Sequence, residues 1–401
     1  MTVQTPRRAS SLDRDAVTAP KRTASAGPPG PPKGGKKGTK GKKDPIWAKA
    51  TLIFGAVLMM ASGAGIVGTK WVVSSATSAV TQDNLLGNTK KTAAEGGNSL
   101  KGPIDLLLMG VDARKRWAVD DLHADTIIIL HIPASHDQAY LVSVPRDTEV
   151  QVPAFAKSKY PGGTAKATEA FFHGAQNGGG WAGGAQLMAQ TLKNTTGISF
   201  DGAAIIDFNG FKGVIDALKG VKMCVDQRVK SHHMVKVGGK PMYLAEARKT
   251  GKSQTPIWHE KGCREMEGWE ALDYARQRYG LKNGDYDRQR HQQQLIKAMA
   301  KKASGSGVLT NPVKVSGLMK AAGKAFVLDT GGVPVADFIF TLKGVAANDL
   351  VLLRSNNGSF AGNGNGREAI TPKTMEMYRA VKQDKLADFI IGNPDVVAQE
   401  K

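Results

Sequence analysis

Short apolar runs alternate with helical patterns over most of the chain, from about residue 100 onward. The runs Ile104 to Met109, Thr126 to Ile132 and Ala139 to Val144 are bounded by turn residues, which is typical of strands in a largely buried sheet. Further strands are predicted at 203–208, 221–225 and 350–353, and helices at 168–175, 182–194, 210–218, 267–275, 288–303, 313–322, 334–342 and 373–383. Strands interleaved with helices indicate an α/β domain or an α/β/α sandwich.

A longer apolar run near the start of the chain has a different length and different flanks. Residues 50–69 carry no ionisable side chain, and twenty helical residues span roughly 30 Å, the thickness of a bilayer core. Trp47 and Trp71 are placed as interfacial anchors, and the basic segment before the run predicts a cytoplasmic N-terminus. This favours one uncleaved transmembrane helix, with the rest outside the cell. A signal peptide cut at Thr77-Ser-Ala79 and a buried core helix are the alternatives.

Composition and charge indicate the class of partner that the chain binds. The chain has 401 residues, 41% of them apolar, and 55 Lys and Arg against 35 Asp and Glu, a formal net charge of +20. Such a charge indicates polyanionic partners: nucleic acid, anionic lipid or phosphorylated glycan. Residues 1–49 hold 12 of the basic residues and a Gly-Pro-Pro-Gly-Pro-Pro run, so a disordered tail is expected there. The tail lacks interleaved aromatic residues, which argues against nucleic acid.

These patterns divide the chain into segments with different expected roles. The predicted order is a basic cytoplasmic tail, a transmembrane helix, a polar stalk, one external domain and a short C-terminal tail, at 1–49, 50–71, 72–100, 101–392 and 393–401. Within the domain, residues 227–262 show little periodicity, so a long surface excursion is expected. Cys224 and Cys263 are the only cysteines and would close it with a disulfide in an oxidising compartment; two buried free thiols are the alternative.

Acidic side chains follow or precede two neighbouring apolar strands. Asp112 and Arg114 come directly after the first strand, and Asp125 comes directly before the second. Loops at strand ends are where functional sites usually lie. Two carboxylates there fit a hard cation such as Mg²⁺, which usually takes one or two carboxylates and bridges substrate phosphates. The alternative is that each carboxylate only caps a turn.

Arginines cluster in two further segments. Arg146 follows a strand, where it fits bidentate binding of phosphate oxygens or a surface salt bridge with Asp147. Arg276 and Arg278 lie two apart at a predicted helix end, where an extended chain would direct both the same way. Asp285, Arg288 and Gln292 mark the start of the next helix, whose positive dipole end favours anions. A solvated helix face is the ordinary alternative, yet the combined pattern favours a phosphate site.

Other motifs are excluded by their context. The Thr250-Gly-Lys-Ser segment lacks the first glycine of a nucleotide-binding P-loop and the strand before it. His232 and His233 lack further metal ligands at suitable spacing. No Gly-x-Ser-x-Gly motif indicates acyl transfer.

Five segments together resemble the LytR-CpsA-Psr (LCP) family of cell-wall glycopolymer ligases. They are LLLMGVDAR, ADTIIIL, SVPRDTEV, DFNGFKGVIDALKGV and ALDYARQRYGLKNGDYDRQRHQQQ, in order over about 104–300. The resemblance implies an α/β/α sandwich with an apolar pocket for a lipid tail. It implies transfer of a glycan from a polyprenyl-pyrophosphate carrier to peptidoglycan, onto the C6 hydroxyl of N-acetylmuramic acid, at the outer membrane surface.

The resemblance also implies roles for the residues that match. Asp112 and Asp125 would hold Mg²⁺ or Mn²⁺ against the pyrophosphate, while an arginine clamp would bind its oxygens, with Asp285 and Gln292 orienting that clamp. The clamp would consist of Arg114, Arg146, Arg276, Arg278 and Arg288. Asp112 or Asp125 is the candidate base, although a carboxylate that binds Mg²⁺ is a poor one.

Two departures from the family pattern affect this clamp. His123-Ala124 stands where the family often has Arg-Ser, and His291-Gln-Gln where it often has Arg-Gln-Gln. Imidazoles in place of guanidiniums predict a weaker or pH-dependent anion clamp. Two other functions remain open at this point: a membrane-tethered binder or regulator of lipid-linked phosphates, and a pyrophosphatase that releases the glycan to water.

Overall fold

The computed structural model describes residues 81–92, 100–112, 122–308, 311–333 and 350–398. All of them fall in one compact unit. Its strands are β1 Thr81–Gln82, β2 Ile104–Val111, β3 Ala124–Ile132, β4 Ala139–Ser143, β5 Glu149–Val152, β6 Gly163–Lys166, β7 Gly202–Asp207, β8 Val221–Val225, β9 Val229–Val237, β10 Lys240–Tyr243, β11 Gln254–His259, β12 Gly262–Met266, β13 Phe326–Asp329 and β14 Leu350–Leu353. Its helices are α1 Ala167–Ala175, α2 Gly180–Thr196, α3 Phe208–Ala217, α4 Leu244–Ala247, α5 Gly268–Ala275, α6 Asp285–Gly305, α7 Pro312–Ala322, α8 Pro372–Lys382 and α9 Leu386–Gly392.

A seven-stranded mixed sheet forms the centre of the unit, in the order β1-β13-β7-β2-β3-β4-β14. The pairs β1–β13, β7–β2 and β4–β14 are parallel, and the others are antiparallel. Three smaller sheets accompany it: β10-β9-β11, β12-β8 and β5-β6. The mixed α/β fold that the interleaved pattern predicts is therefore confirmed.

Helices cover both faces of the central sheet. One face packs against α1 and α2, where Leu107 and Ile129 of the sheet share a core with Phe171 and Leu187 of the helices. The other face includes Leu106 and Ile128, and Ile296 of α6 packs against it. A sheet buried on both faces needs apolar residues at every position, which explains the uninterrupted runs in β2 and β3.

Residues outside both predicted borders of the domain pack into the same unit. In the predicted stalk, β1 pairs with β13, Leu85 and Leu86 are fully buried, and Lys91 Nζ lies 3.0 Å from Asp201 Oδ2. In the predicted C-terminal tail, Ala398 donates its backbone N–H to the carbonyl of Leu352. Polar composition predicted a stalk before the domain, but a few apolar residues suffice to attach each of these segments to it.

The predicted surface excursion is a small antiparallel sheet. The β9 strand alternates buried and exposed positions, and it pairs with β10 on one side and β11 on the other. Lysines and histidines occupy the exposed positions, which conceals the period of two in the sequence. Cys224 of β8 and Cys263 of β12 lie opposite each other and form a disulfide, 39 residues apart in sequence.

Several predicted segments lie outside the described residues. They are the predicted tail 1–49, the predicted transmembrane segment 50–71, the predicted helix at 334–342 and residues 113–121, which include Arg114. Within the described ranges, we find no helix whose length and apolar character would let it cross a membrane.

Candidate functional site

The two predicted metal ligands lie at one edge of the central sheet, where β2 ends and β3 begins. Gly110 pairs with Thr126 and Val111 with Ala124, so Asp125 is the extra residue of a β-bulge. A bulge redirects the side chain of its unpaired residue, and bulges are frequent beside active sites. Glycine is required at position 110, because a Cβ there would lie 2.8 Å from the Cβ of Thr126. Asp112 follows on the adjacent strand.

Asp125 is bound by two arginines from different parts of the chain. Arg146 Nη1 donates to Asp125 Oδ1, and Arg288 Nη2 donates to the Asp125 backbone carbonyl at 2.9 Å. Burial alone would raise the pKa of Asp125, but the charges of Arg288 and Arg146 outweigh it and hold that pKa below its ordinary value. Asp125 is therefore ionised across the physiological pH range.

Asp285 joins the same two arginines at the start of α6. Its Oδ1 lies 2.8 Å from Arg288 Nη2 and 3.9 Å from Arg146 Nε. The preceding Gly284 has a φ of +52°, a conformation that favours glycine and lets the helix begin at Asp285. We call Asp125, Arg146, Asp285 and Arg288 the arginine–aspartate cluster.

Two guanidinium N–H groups of the cluster are buried without a hydrogen-bond partner in the described part of the chain. They are Arg146 Nε and Arg288 Nε. The nearest carboxylate oxygens to Arg146 Nε, on Asp147 and Asp285, lie at 3.7 and 3.9 Å, which is too long for a hydrogen bond. A buried donor without an acceptor is costly, so these groups favour an anionic ligand.

Asp112 pairs with the other predicted arginine. Arg276 Nη2 donates to Asp112 Oδ2 at 3.0 Å, and both residues are buried. Arg276 ends α5, and its guanidinium lies 3.7 Å from the centre of the Phe208 ring. The nearby Asp207 caps the start of α3 through the Gly210 N–H; burial, with a contribution from the Asp112 charge, raises its pKa. Three adjacent strands, β7, β2 and β3, thus bring the carboxylates of Asp207, Asp112 and Asp125 to this edge of the sheet.

Two predicted ligand-binding residues within the described ranges, Arg278 and Gln292, form no hydrogen bond or ion pair with these groups. Arg278 donates to the hydroxyl of its neighbour Tyr279 at 2.8 Å, whereas Arg276 contacts Asp112. The side chain of Gln292 is half-buried and forms no hydrogen bond with a described residue. Arg114 lies outside the described ranges. Arg276 and Arg278 thus have different partners in the structure, Asp112 and Tyr279.

The two histidines that replace family arginines have different surroundings. His123 stacks on Phe172 with ring centres 4.8 Å apart, and its charge would act on Asp125. His291 is fully buried, and its Nε2 lies 2.9 Å from the Tyr274 hydroxyl and 3.2 Å from Asp226 Oδ1. Arg290 already pairs with that carboxylate at 2.5 Å. His291 therefore belongs to a buried network with Tyr274, Asp226 and Arg290.

We expect His291 to make folding sensitive to acid. Burial lowers the pKa of His291 below its ordinary value of 6.5. As pH falls below 6.5, His291 is therefore protonated more readily in the unfolded chain than in the folded chain. The stability that His291 contributes above pH 6.5 is lost over this range. The free energy of unfolding in urea should drop between pH 7 and pH 5, and His291→Asn should remove part of that drop. His232→Asn, at an exposed position, is the control; an equal effect of both variants would contradict the prediction.

Three buried residues that position the site were not predicted. Gln293 donates through Nε2 to Leu141 O, Ser143 Oγ and Leu353 O, which fixes α6 on the sheet. Tyr286 donates to Glu368 Oε2 at 2.5 Å, and the backbone of Glu368 bonds to Asp147 and Glu149 beside Arg146. The Gln-Gln-Gln run was visible in the sequence, but nothing in the sequence around Glu368 points to position 368.

Comparison with known proteins identifies relatives of this chain. The model of the LytR_cpsA_psr family matches residues 69–372. The cell wall biosynthesis protein LcpA of Corynebacterium glutamicum is 25% identical over 371 residues, which cover 86% of this chain and 66% of that protein. A polyisoprenyl-teichoic acid–peptidoglycan teichoic acid transferase, TagU of Oceanobacillus iheyensis, is 29% identical over 211 residues, or 52% of this chain and 54% of that protein.

A solved structure shares the fold. The crystal structure of protein gbs0355 from Streptococcus agalactiae superposes with a TM-score of 0.54 at 18% identity, covering 74% of this chain and 91% of that one. The chain spans between about half and two thirds of the length of these two curated relatives. Because the family model matches most of the chain, from residue 69 to residue 372, the protein belongs to the LytR-CpsA-Psr family.

Proposed function

We propose that the protein transfers a glycopolymer from a polyprenyl-pyrophosphate carrier to a sugar hydroxyl of peptidoglycan, the C6 hydroxyl of N-acetylmuramic acid. The name of the Oceanobacillus iheyensis relative describes a transfer of this class, from a polyisoprenyl-linked polymer to peptidoglycan. The observation that carries the proposal is the pair of unpartnered Nε–H groups on Arg146 and Arg288. They lie beside ionised Asp125 at a sheet edge, where a pyrophosphate would supply the missing acceptors.

The carboxylates of this edge fit a divalent cation by their chemistry. Mg²⁺ prefers oxygen ligands and is usually held by one or two carboxylates together with substrate phosphates. Asp112 and Asp125 come from adjacent strands, although each is also paired with an arginine. The described residues contain no group of three or more His, Cys, Asp or Glu that would form a complete metal site. Asp112 and Asp125 would therefore hold Mg²⁺ or Mn²⁺ only together with the pyrophosphate, whose charge the ion would offset.

The cluster's own residues account for most of the catalysis in this proposal. The sugar hydroxyl attacks the phosphorus that bears the glycan, and the bond from that phosphorus to the bridging oxygen breaks. The hydroxyl proton is released to water, and polyprenyl phosphate leaves. Phosphoryl transfer depends mainly on positioning and charge neutralisation. Arg146 and Arg288 would bind the phosphate oxygens, while Asp285 pairs with Arg288 at 2.8 Å and lies 3.9 Å from Arg146 Nε. Arg276, which is paired with Asp112, would bind the pyrophosphate from that side of the site. We assign no role as base to Asp125, because its lowered pKa makes it a weak one.

The proposed substrate also defines the location. A polyprenyl carrier is a membrane lipid, so the active domain should lie close to the membrane surface. The apolar run 50–71 and the basic residues before it favour a single pass with the N-terminus in the cytoplasm. The disulfide fits an oxidising compartment outside the cell.

Incubation of the full chain in neutral detergent with polyprenyl-pyrophosphate glycan, Mg²⁺ and a peptidoglycan oligomer tests the proposal. We expect a glycan–peptidoglycan adduct by mass spectrometry, and its loss when EDTA removes the cation. Free glycan phosphate without adduct would establish a pyrophosphatase instead. Intact carrier retained on the protein would establish a binder. Either of these results would overturn the transferase.

A further inference from the structure

The small sheet β10-β9-β11 carries a concentrated positive charge on its surface. Between residues 228 and 261 the basic residues are opposed only by Glu246 and Glu260. All of them are exposed: Arg228, Lys230, Lys236, Lys240, Arg248, Lys249, Lys252 and Lys261. Arg228 is paired with Glu260 at 3.0 Å, and the other seven have no acidic partner within the described part of the chain. Uncompensated charge of this density attracts polyanions.

Exposed aromatic rings accompany this charge. Four aromatic side chains among the described residues are markedly exposed: Tyr243, Trp258, Tyr279 and Phe360. The first two lie on the small sheet, and Tyr279 contacts it through His232, with ring centres 5.3 Å apart. Large exposed rings usually mark binding surfaces, because leaving them in water is unfavourable.

Two of these cations and two of these rings form one continuous surface with His232 and Arg278. Lys230 and Trp258 are direct cross-strand partners, and His232 lies two residues after Lys230 on the same exposed face. Tyr279 adjoins His232, and Arg278 lies over the Tyr279 ring at 4.7 Å. We call this surface the basic–aromatic strip; it consists of Arg228, Lys230, His232, Trp258, Tyr279 and Arg278.

Each exposed ring of the strip has a guanidinium over it. Arg228 lies 3.7 Å from the centre of the Trp258 ring, and both oxygens of Glu260 accept from its Nε. Arg278 lies over Tyr279 and donates to its hydroxyl. Trp258 and Tyr279 are still 41% and 54% exposed, so each ring keeps an apolar surface for the C–H face of a sugar. Arg278, which has no acidic partner among the described residues, offers a fork for a carboxylate. Fixed in advance, these groups lose little conformational entropy when a ligand binds.

The strip leads to the candidate site. Arg278 is two residues after Arg276, which binds Asp112. A membrane surface is a poorer fit, because the large apolar side chains exposed on the strip are Trp258 and Tyr279 alone, with no exposed aliphatic chain to enter lipid. From these contacts we infer that the strip binds the acceptor of the proposed transfer, peptidoglycan, through its sugar rings and the carboxylates of its peptide stems. This inference rests on the proposed function.

Binding of the full chain to purified peptidoglycan tests the strip. The chain is kept in neutral detergent and sedimented with peptidoglycan freed of attached polymers, without donor substrate. We expect Trp258→Ala and Lys230→Glu each to weaken binding about tenfold, and wild-type binding to fall as salt is raised. Phe360→Ala and Lys320→Glu are matched controls, since both side chains are exposed on other elements, and they should bind as wild type does.

The outcomes separate this inference from the proposed function. Wild-type binding that survives both strip substitutions would overturn the inference, whether or not the protein forms an adduct. The inference would also be overturned if the two strip variants lost binding to short-chain phosphatidylglycerol micelles while their binding to peptidoglycan stayed unchanged. That result would assign the strip to the membrane. A wild type that binds peptidoglycan through the strip but forms no adduct would overturn the transferase and leave the strip in place.

Discussion

Replacing Arg288 with alanine is expected to lower the rate of glycopolymer transfer by about 10²- to 10³-fold, the usual cost of removing one donor to a developing negative charge. Arg288 is 5% exposed and contacts Asp285 and the Asp125 carbonyl, while its Nε–H has no hydrogen-bond partner among the described residues. Its loss removes a proposed ligand of the phosphate and leaves the negative charges of Asp125 and Asp285 less compensated. The measurement is the initial rate of adduct formation with saturating carrier.

Two further variants identify the cause of that loss. Arg288→Lys keeps a charge but not the planar fork, so an intermediate rate is expected. Arg379→Ala, at an exposed position on α8, removes an arginine far from the cluster in sequence and should transfer at the wild-type rate. Thermal unfolding of each variant separates loss of the site from loss of the fold. A folded Arg288→Ala protein with a rate within twofold of wild type would refute the clamp.

Removing the disulfide is expected to lower the free energy of unfolding by about 4 kcal/mol. The bond closes a loop with a sequence separation of 39 residues, and in the chain-entropy model such a closure restricts the unfolded chain by about that amount. Neither cysteine is fully buried, so Cys224→Ser with Cys263→Ser adds little loss of packing. Urea unfolding of the oxidised wild type against the double variant measures the difference.

Reduction of the wild type provides the control for this effect. Added thiol should bring the wild type to the stability of the double variant and leave the variant unchanged. A difference below about 1 kcal/mol would show that the covalent link constrains the unfolded state far less than the entropy model requires. The bond also joins β8 and β12, the strands that precede and follow the small sheet in sequence. We therefore expect the double variant to bind peptidoglycan less tightly than the wild type.

The central elements of the domain could be predicted from the sequence. The runs at 104–109, 126–132 and 139–144 became β2, β3 and β4 with ends shifted by at most two residues, and the helix predicted at 267–275 became α5. Their signal was strong, because a strand buried on both faces has no polar positions to disguise it. The small sheet at 229–259 was missed for the opposite reason: its exposed positions hold Lys and His, and its β11 strand is interrupted by a register shift after Pro256.

The sequence by itself determined which residues lie at the ends of the strands. Asp112, Asp125 and Arg146 adjoin apolar runs, and helical spacing put Asp285 and Arg288 one turn apart, so their convergence followed from local geometry. The tertiary structure alone decided which charges meet: the bulge that frees Asp125, the pairing of Arg276 with Asp112, the contact of Arg278 with Tyr279 and the burial of His291. Arg276 and Asp112, for example, are 164 residues apart in sequence. Such a pair is stabilised only after distant segments have packed together and excluded water, so no local sequence pattern predicts it.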